Sequence, residues 1–488
     1  MTAVRPAAVI VLAAGEGTRM KSATPKVLHA IGGRSLVGHA IVAARGVDPA
    51  HLVVVVRHER ERVAAHITDV APEAIVADQD EVKGTGRAVE CGLAELPQDL
   101  SGTVVVTYGD VPLLQSVTLS ALLEQHDATG SAVTVVTAHL ADPTGYGRIV
   151  RGQDGSVDAI VEQKDATPEQ RAITEINSGL YAFDAEVLRT ALAEVGTDNA
   201  QGEKYLTDVL AIAKRQGLTV SAHVVDDLWQ TEGVNDRVQL ATLGKELNRR
   251  IVEHWMREGV TVVDPATTWI DADVAVGRDT VIRPGTQLLG ATTIGAGAEI
   301  GPDTTLQDTQ VGDGASVIRS QTLLAEIGPE ATVGPFSYLR PGTTLGRKGK
   351  IGGFVETKNA QIGDGAKVPH LTYCGDATIG EGSNIGAGTI FANYDGEKKY
   401  RSTLGKHVFV GSNSVLVAPA EIGDGAFVAA GSAINQPVGA GDLAVARGRQ
   451  RNIPGYIQSR RPGSKAAEAA AAAEGAQGDE SNQEGTTR

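Results

Sequence analysis

The sequence predicts a doubly wound α/β domain, then a long connecting helix, then a parallel β-helix. Three observations predict this order. Continuous apolar runs divided by helical patterns fill residues 1 to about 230. Leu240, Leu243, Leu247, Ile251 and Trp255 then recur at helical spacing with charges between them. From about Val262 to Ala440 the rhythm changes to six residues.

The first domain is read from runs such as 7–12, 51–56 and 103–107, which are apolar along their whole length. Helical patterns near 35–47, 85–96 and 119–126 separate them. Uniformly apolar strands between helices indicate a mostly parallel sheet covered on both faces. Ligands of such sheets bind at the carboxyl ends of the strands. Two segments fall there: Leu12-Ala13-Ala14-Gly15-Glu16-Gly17-Thr18-Arg19-Met20 and the turn Tyr108-Gly109-Asp110.

The six-residue rhythm is carried by units such as Ile294-Gly295-Ala296-Gly297-Ala298, Val311-Gly312-Asp313-Gly314-Ala315 and Ile422-Gly423-Asp424-Gly425-Ala426. An aliphatic residue before glycine, with a small residue four positions on, is a hexapeptide repeat. Three repeats make one coil, and coils stabilise one another by stacking. Two stretches break the rhythm, 368–373 and 391–400, and insertions in a solenoid are where function concentrates. The division expected is 1–233, a linker helix over 234–260, the repeats over 261–460 and a tail over 461–488. The tail is rich in Ala, Glu, Gly and Gln, and disorder is expected there.

Composition narrows the function. A net charge of −15 over 488 residues argues against general binding to nucleic acid or membrane surfaces. Anionic substrates must then be met by local Arg and Lys. The two cysteines, Cys91 and Cys374, form no metal spacing. Without a signal segment or a membrane-length apolar run, a cytoplasmic protein is expected.

Gly15 and Gly17 let the backbone close around a ligand, and Arg19 and Lys26 add two cations beside that loop. Strand, glycine turn and cations together make a site for several phosphates. The segment lacks the third glycine of a dinucleotide fingerprint and the Gly-Lys-Ser/Thr ending of a P-loop. Asp110, at a strand end beside this loop, suits Mg2+, which shares oxygen ligands with phosphates; Asp also commonly caps turns. Gln79 and Gly84-Thr85-Gly86 suit recognition of a base edge. In the solenoid, His370 interrupts the rhythm, with Glu356 and Lys358 about one coil before it and Arg340 a coil earlier. Arg340 and Lys358 could neutralise a sugar phosphate. Glu356 could orient an imidazole that takes a proton near neutral pH.

The pattern L-A-A-G-x-G-T-R-M-x-x-x-x-P-K, here ending in Pro25-Lys26, resembles the signature of sugar-nucleotidyltransferases. With the helix and the repeats, the chain over roughly residues 5–460 resembles the bifunctional bacterial enzymes of UDP-N-acetylglucosamine synthesis. That resemblance implies a left-handed β-helix, a homotrimer, Mg2+, and UTP and acetyl-CoA as co-substrates, with the product feeding cell-wall and lipopolysaccharide precursors. It implies that Leu12, Ala13, Ala14, Gly15, Arg19, Lys26, Tyr108 and Gly109 line the nucleotide site. Gln79, Gly84 and Thr85 would read the base. Asp110 would hold the metal with Asn235 of Gly233-Val234-Asn235-Asp236-Arg237. Gly147, Glu162 and Asn177 would hold the sugar. In the repeats, Arg340, Lys358, Tyr373 and Asn384 would bind glucosamine-1-phosphate, with His370 as base. Ala387, Asn393, Tyr394, Ser412, Ala430 and Arg447 would meet acetyl-CoA. The chain departs from the family at Lys83-Gly84-Thr85-Gly86-Arg87-Ala88, where Leu and His are usual at the first and fifth positions. It departs again at Tyr456, where some relatives carry Trp. Two rival readings remain: a single-activity nucleotidyltransferase whose β-helix only oligomerises or regulates, and a binding protein with the same two folds.

Overall fold

The computed structural model describes residues 4–153, 155–199 and 201–483. Its first domain is built on a sheet with the strand order Val220–Val224, Val133–His139, Glu175–Asp184, Thr103–Tyr108, Ala8–Leu12, His51–Val56, Ile75–Asp78. Ala8–Leu12 lies centrally and is buried throughout. Ala8, Ile10 and Leu12 feed the core on one face, while Val9 and Val11 feed the core on the other. A strand covered on both faces needs no polar alternation, so its sequence is continuously apolar.

The sheet is mixed. Glu175–Asp184 runs antiparallel to both of its neighbours, and a hairpin of Arg148–Arg151 and Val157–Val161 extends its end. This strand alternates poorly and carries Asn177, Ser178 and Gly179, so the apolar-run criterion passed over it. The helices fall close to expectation at Leu36–Arg45, Thr85–Ala94 and Ser116–Thr129. The Ser35 hydroxyl caps the first of these by accepting from Gly38 N at 3.0 Å.

The connecting helix spans Arg237–Arg257, and Asp236 caps it by accepting from the amides of Val238 and Gln239. Its first half, through Leu240, Leu243 and Leu247, packs on Met20, Ile31 and Leu113 of the first domain. Its second half, through Ile251, Val252 and Trp255, closes the end of the solenoid core. Asn248 caps the open edge of the first coil: Nδ2 donates to Thr268 O at 2.8 Å and Oδ1 accepts from Ile270 N at 2.9 Å. An uncapped strand edge would otherwise be free to pair with another chain.

The solenoid is a parallel β-helix with three faces, consistent with the left-handed form. Its inward column on one face runs Val276, Ile294, Val311, Ile327, Leu345, Ile362, Ile379, Leu404 and Ile422, each paired with the next one coil away. Glycine is required after these residues by close approach. A Cβ at Gly295 would sit 2.6 Å from Asp313 N. The repeat's aspartates tie neighbouring coils: Asp313, Asp364 and Asp424 accept from the amides of Ala296, Arg347 and Lys406 at 2.8 Å. Between Phe391 and Arg401 the chain leaves the coil. Thr378 pairs with Gln361 below and with Thr403 above, and the extra residues between form a hairpin on the outside.

The tail differs from expectation. Lys465–Gln483 is helical where disorder was expected. Alanine, which dominates the run, has the highest intrinsic helix propensity, and the run Ala469–Ala473 lies within this helix. Residues 484–488 of that tail lie outside the described residues.

Candidate active sites

The first site forms where four strands end. Leu12 and Tyr108 are register partners, so the loop after one and the turn after the other leave the sheet side by side. Gly109 N donates to Leu12 O at 2.9 Å, Ala13 N to Val55 O at 2.8 Å, and Gln79 N to Val56 O at 2.9 Å. A cavity of about 440 Å³ opens there, walled by Leu12–Gly15, Lys26, Gln79, Gly84, Thr85, Tyr108 and Asp110. The nucleotide-site and base-reading residues proposed from sequence are thus brought together, apart from Arg19. Arg19 lies exposed on the short turn Thr18–Met20, and Gly109 abuts the cavity behind Ala13.

Lys26 forms an ion pair with Asp110, and both side chains are largely shielded from solvent. Gly17 makes this possible. Its φ is +63°, and a Cβ there would lie 2.5 Å from Lys26 Cβ. Gly17→Ala is therefore expected to displace Lys26 and to lower turnover at this site at least about tenfold, leaving the solenoid's chemistry unchanged. Steady-state rates for the two half-reactions would show it. Beside Asp110 runs the segment Gly233-Val234-Asn235: Val234 N donates to Asp110 O at 2.9 Å, and Asn235 follows directly. One carboxylate and one amide thus stand together as candidate metal ligands. No cluster of three or more His, Cys, Asp or Glu suited to a metal occurs among the described residues.

Gln79 spends its amide donors on the loop it serves, giving Nε2 contacts to Val82 O at 3.0 Å and Gly84 O at 3.2 Å. Its carbonyl oxygen is left as the acceptor. The Thr85 hydroxyl accepts from Leu206 N at 3.1 Å, which anchors the loop. Gly147, Asn177 and Glu162 meet beyond the carboxyl end of the strand Thr103–Tyr108. Asn177 N donates to Gly147 O at 2.9 Å, and a Cβ at Gly147 would lie 3.4 Å from Glu162 Oε1. The Asn177 side chain is held by Gly179 N and the Tyr181 hydroxyl, both at 2.9 Å. Glu162 faces an adjoining cavity of about 510 Å³ with Asp165 and Asp208. Burial first, then those two carboxylates, pushes its pKa up. Tyr108 is pushed up by its burial, then by Asp110 and Glu162, and its ring lies against Gly179. Sequence reasoning missed one cation in the cavity wall, Arg57; the other, Lys83, is the first residue of the basic departure beside the base-reading loop. Arg57 immediately follows the strand His51–Val56, and a cation directly after a buried strand was the available signal.

The second constellation lies on the solenoid. Tyr338, Glu356 and Tyr373 are register partners on successive coils, and Lys358 pairs with Gly375. Arg340 Nη1 donates to Glu356 Oε1 at 2.8 Å. Among the described residues Glu356 is held by Arg340, and no hydrogen bond joins it to His370. His370 pairs with Gly353 at the end of a different face, and its imidazole has no hydrogen-bond partner among the described residues. Lys358 is held below the usual lysine range by the nearby Lys399 ammonium, which the external hairpin delivers.

A ladder of contacts climbs the corner above His370. Gly388 N donates to His370 O at 3.2 Å, Asn413 N to Ala387 O at 2.7 Å, and Gly431 N to Ser412 O at 2.9 Å. Arg447 Nη1 then donates to Ala430 O at 3.0 Å. Ala387, Ser412, Ala430 and Arg447 thus follow one edge of the prism, a track suited to an extended ligand. Asn384 pairs in register with Lys367 on the strand that ends at His370. Asn393 is buried at the base of the hairpin, and Tyr394 is exposed, its hydroxyl donating to Gly396 O.

Below His370 the same corner carries Phe336, Phe354 and Leu371, which are 53%, 62% and 61% exposed. All three have positive φ, and the two phenyl rings stack at 5.3 Å. An exposed apolar ridge beside a catalytic candidate marks a contact surface.

Residues 9–172 match the MobA-like NTP transferase domain family, and residues 401–436 match the bacterial transferase hexapeptide family. Over 468 residues the chain is 61% identical to the Bifunctional protein GlmU of Mycolicibacterium vanbaalenii, covering 95% of each. It is 59% identical to that of Corynebacterium efficiens, covering 98% of each. With that of Micrococcus luteus the identity is 57%, over 97% of this chain and 98% of the relative.

Proposed function

The chain belongs to the family of bifunctional GlmU proteins, and from that premise we infer that it carries out two consecutive reactions. Its solenoid acetylates glucosamine-1-phosphate from acetyl-CoA. Its first domain then transfers UMP from UTP to the N-acetylglucosamine-1-phosphate so made, giving UDP-N-acetylglucosamine and pyrophosphate. The observation that carries this reading is likeness across both halves, with a separate polar constellation in each.

In the first reaction the amine nitrogen forms a bond to the acetyl carbonyl carbon and the C–S bond breaks. His370, free of internal partners, takes the amine proton and returns it to the leaving thiolate. Arg340 and Lys358 hold the sugar phosphate, with Tyr373 and Asn384 at the sugar. Asn393 and Tyr394 lie at the thioester, and the track Ala387, Ser412, Ala430 and Arg447 takes the coenzyme.

In the second reaction the sugar phosphate is already a nucleophile, so no strong base is needed. An oxygen of that phosphate attacks the α-phosphorus in line, and pyrophosphate leaves. Lys26 and Arg19 stabilise the charge spread over the phosphates. Gln79, whose free acceptor suits the N3–H of uracil, reads the base with Gly84 and Thr85. Gly147, Glu162 and Asn177 hold the sugar. Asp110 and Asn235 fit Mg2+, because a site of two protein oxygens leaves room for the waters and phosphate oxygens that this ion keeps. Mg2+ bound there supplies positive charge to the phosphates.

We place the protein in the cytoplasm as a homotrimer. No described helix is long and apolar enough to cross a membrane. The ridge Phe336, Phe354 and Leu371 supports assembly, with the acetyl site completed by a second copy. Phe354→Asp is expected to shift the protein to monomer in sedimentation velocity and to lower acetyl transfer at least about tenfold, with uridyl transfer unchanged.

The test of the whole reading uses glucosamine-1-phosphate and acetyl-CoA without UTP. Release of coenzyme A thiol is expected. No release, from a trimer still able to make UDP-N-acetylglucosamine from N-acetylglucosamine-1-phosphate, would leave a single-activity uridyltransferase.

A further inference from the structure

Asn393 is held by a residue that plays no part in the scheme above. Asp376 sits at a corner of the prism within the bent strand Tyr373–Ile379, with φ +48°. Its Oδ2 accepts from Asn393 Nδ2 at 2.6 Å, and its Oδ1 accepts from Asn359 Nδ2 at 2.7 Å. A carboxylate only accepts, so the nitrogen end of the Asn393 amide must face it. The same nitrogen lies 3.4 Å from the Tyr373 hydroxyl. Both donors of Asn393 are thereby directed inward, and its Oδ1 has no partner among the described residues. Burial works against the charge on Asp376. The amides of Asn359 and Asn393, with the Lys358 and Lys399 ammoniums, outweigh burial and hold the carboxyl below its usual range.

We propose that Asp376 is a positioning residue for acetyl transfer, which turns Oδ1 of Asn393 outward to accept an N–H of the attacking amine. The proposal rests on the acetyltransferase reading above. The amine carries two hydrogens. The one held by Asn393 stays on nitrogen and becomes the N–H of the product amide. The other passes to His370 and on to the departing thiolate as the C–N bond forms and the C–S bond breaks. With one N–H held, the nitrogen lone pair is aimed at the thioester carbonyl. A side-chain amide so arranged has no donor left to polarise that carbonyl.

The test is a kinetic cycle on the full-length trimer. Asp376→Asn offers a donor as well as an acceptor and releases the Asn393 amide to flip. It is expected to lower kcat for acetyl transfer at least about tenfold, with KM for acetyl-CoA within about twofold. In an Asn393→Ala background the same change is expected to cost less than about twofold, because Asp376 acts through Asn393. Asp376→Glu keeps the acceptor and is expected to stay within about fivefold of wild type. Wild-type kcat in Asp376→Asn, an equal loss in both backgrounds, or equal loss in Asp376→Glu and Asp376→Asn would overturn the proposal. Absence of acetyl transfer in the wild type would overturn the underlying reading instead, and is read in the same assay before any variant.

Discussion

His370→Ala is expected to lower acetyl transfer about 10²- to 10⁴-fold, the range that a positioned general base contributes. Thiol release from acetyl-CoA would measure it. The imidazole is exposed, and no described side chain hydrogen-bonds it, so its removal leaves no buried group unpaired. The coil beneath is held by backbone pairing, which the substitution does not touch: Lys350, Ile351 and Gly353 pair with Lys367, Val368 and His370. Trimer content, melting temperature and uridyl transfer should therefore match wild type. A parallel loss of uridyl transfer would mean that the change had disturbed the fold and not the chemistry.

Asp110→Ala is expected to lower pyrophosphate release at least about 10²-fold while acetyl transfer continues. Two effects combine. The carboxylate proposed as a metal ligand is lost, and Lys26 loses its partner in a shielded position. Leaving a shielded ammonium unpaired is costly, so some loss of stability in the first domain is expected as well. Asp110→Asn separates the two effects: it keeps the shape and an oxygen ligand but removes the charge. Its pyrophosphate release is expected to fall severely at a melting temperature closer to wild type. Loss of both activities in Asp110→Ala would argue against independent sites.

How legible each site was depended on how local it is. Leu12 to Met20 and Tyr108 to Asp110 are short contiguous segments at strand ends, and parallel strands bring such ends together by rule. Arg57 reaches the same cavity from the end of a strand whose sequence shows only an isolated cation. The long antiparallel strand Glu175–Asp184 escaped because half of it is polar in service of Asn177 and Ser178. In the solenoid, coil spacing set Arg340 one coil before Glu356, but it could not tell that the two side chains pair or which face of the prism His370 would occupy. Counting by coils gives height along the axis. The corner at which the chain turns, set here by residues such as Leu371 and Asp376 at positive φ, gives the direction.

The sequence by itself determined the order of the folds, the glycine loop and Lys26 that wall the first cavity, and the place of His370 along the solenoid. Those are written in periodicity and in short motifs, which backbone geometry converts directly into strands, turns and coils. The tertiary structure alone decided which polar groups pair. Lys26 takes Asp110, Arg340 takes Glu356, and Asp376 takes Asn393. Each pair joins residues from different strands or coils, and fractions of an ångström in their approach decide which acceptor a donor reaches. Hydrogen bonds weaken steeply with distance and angle, so partner choice belongs to packing and not to sequence pattern.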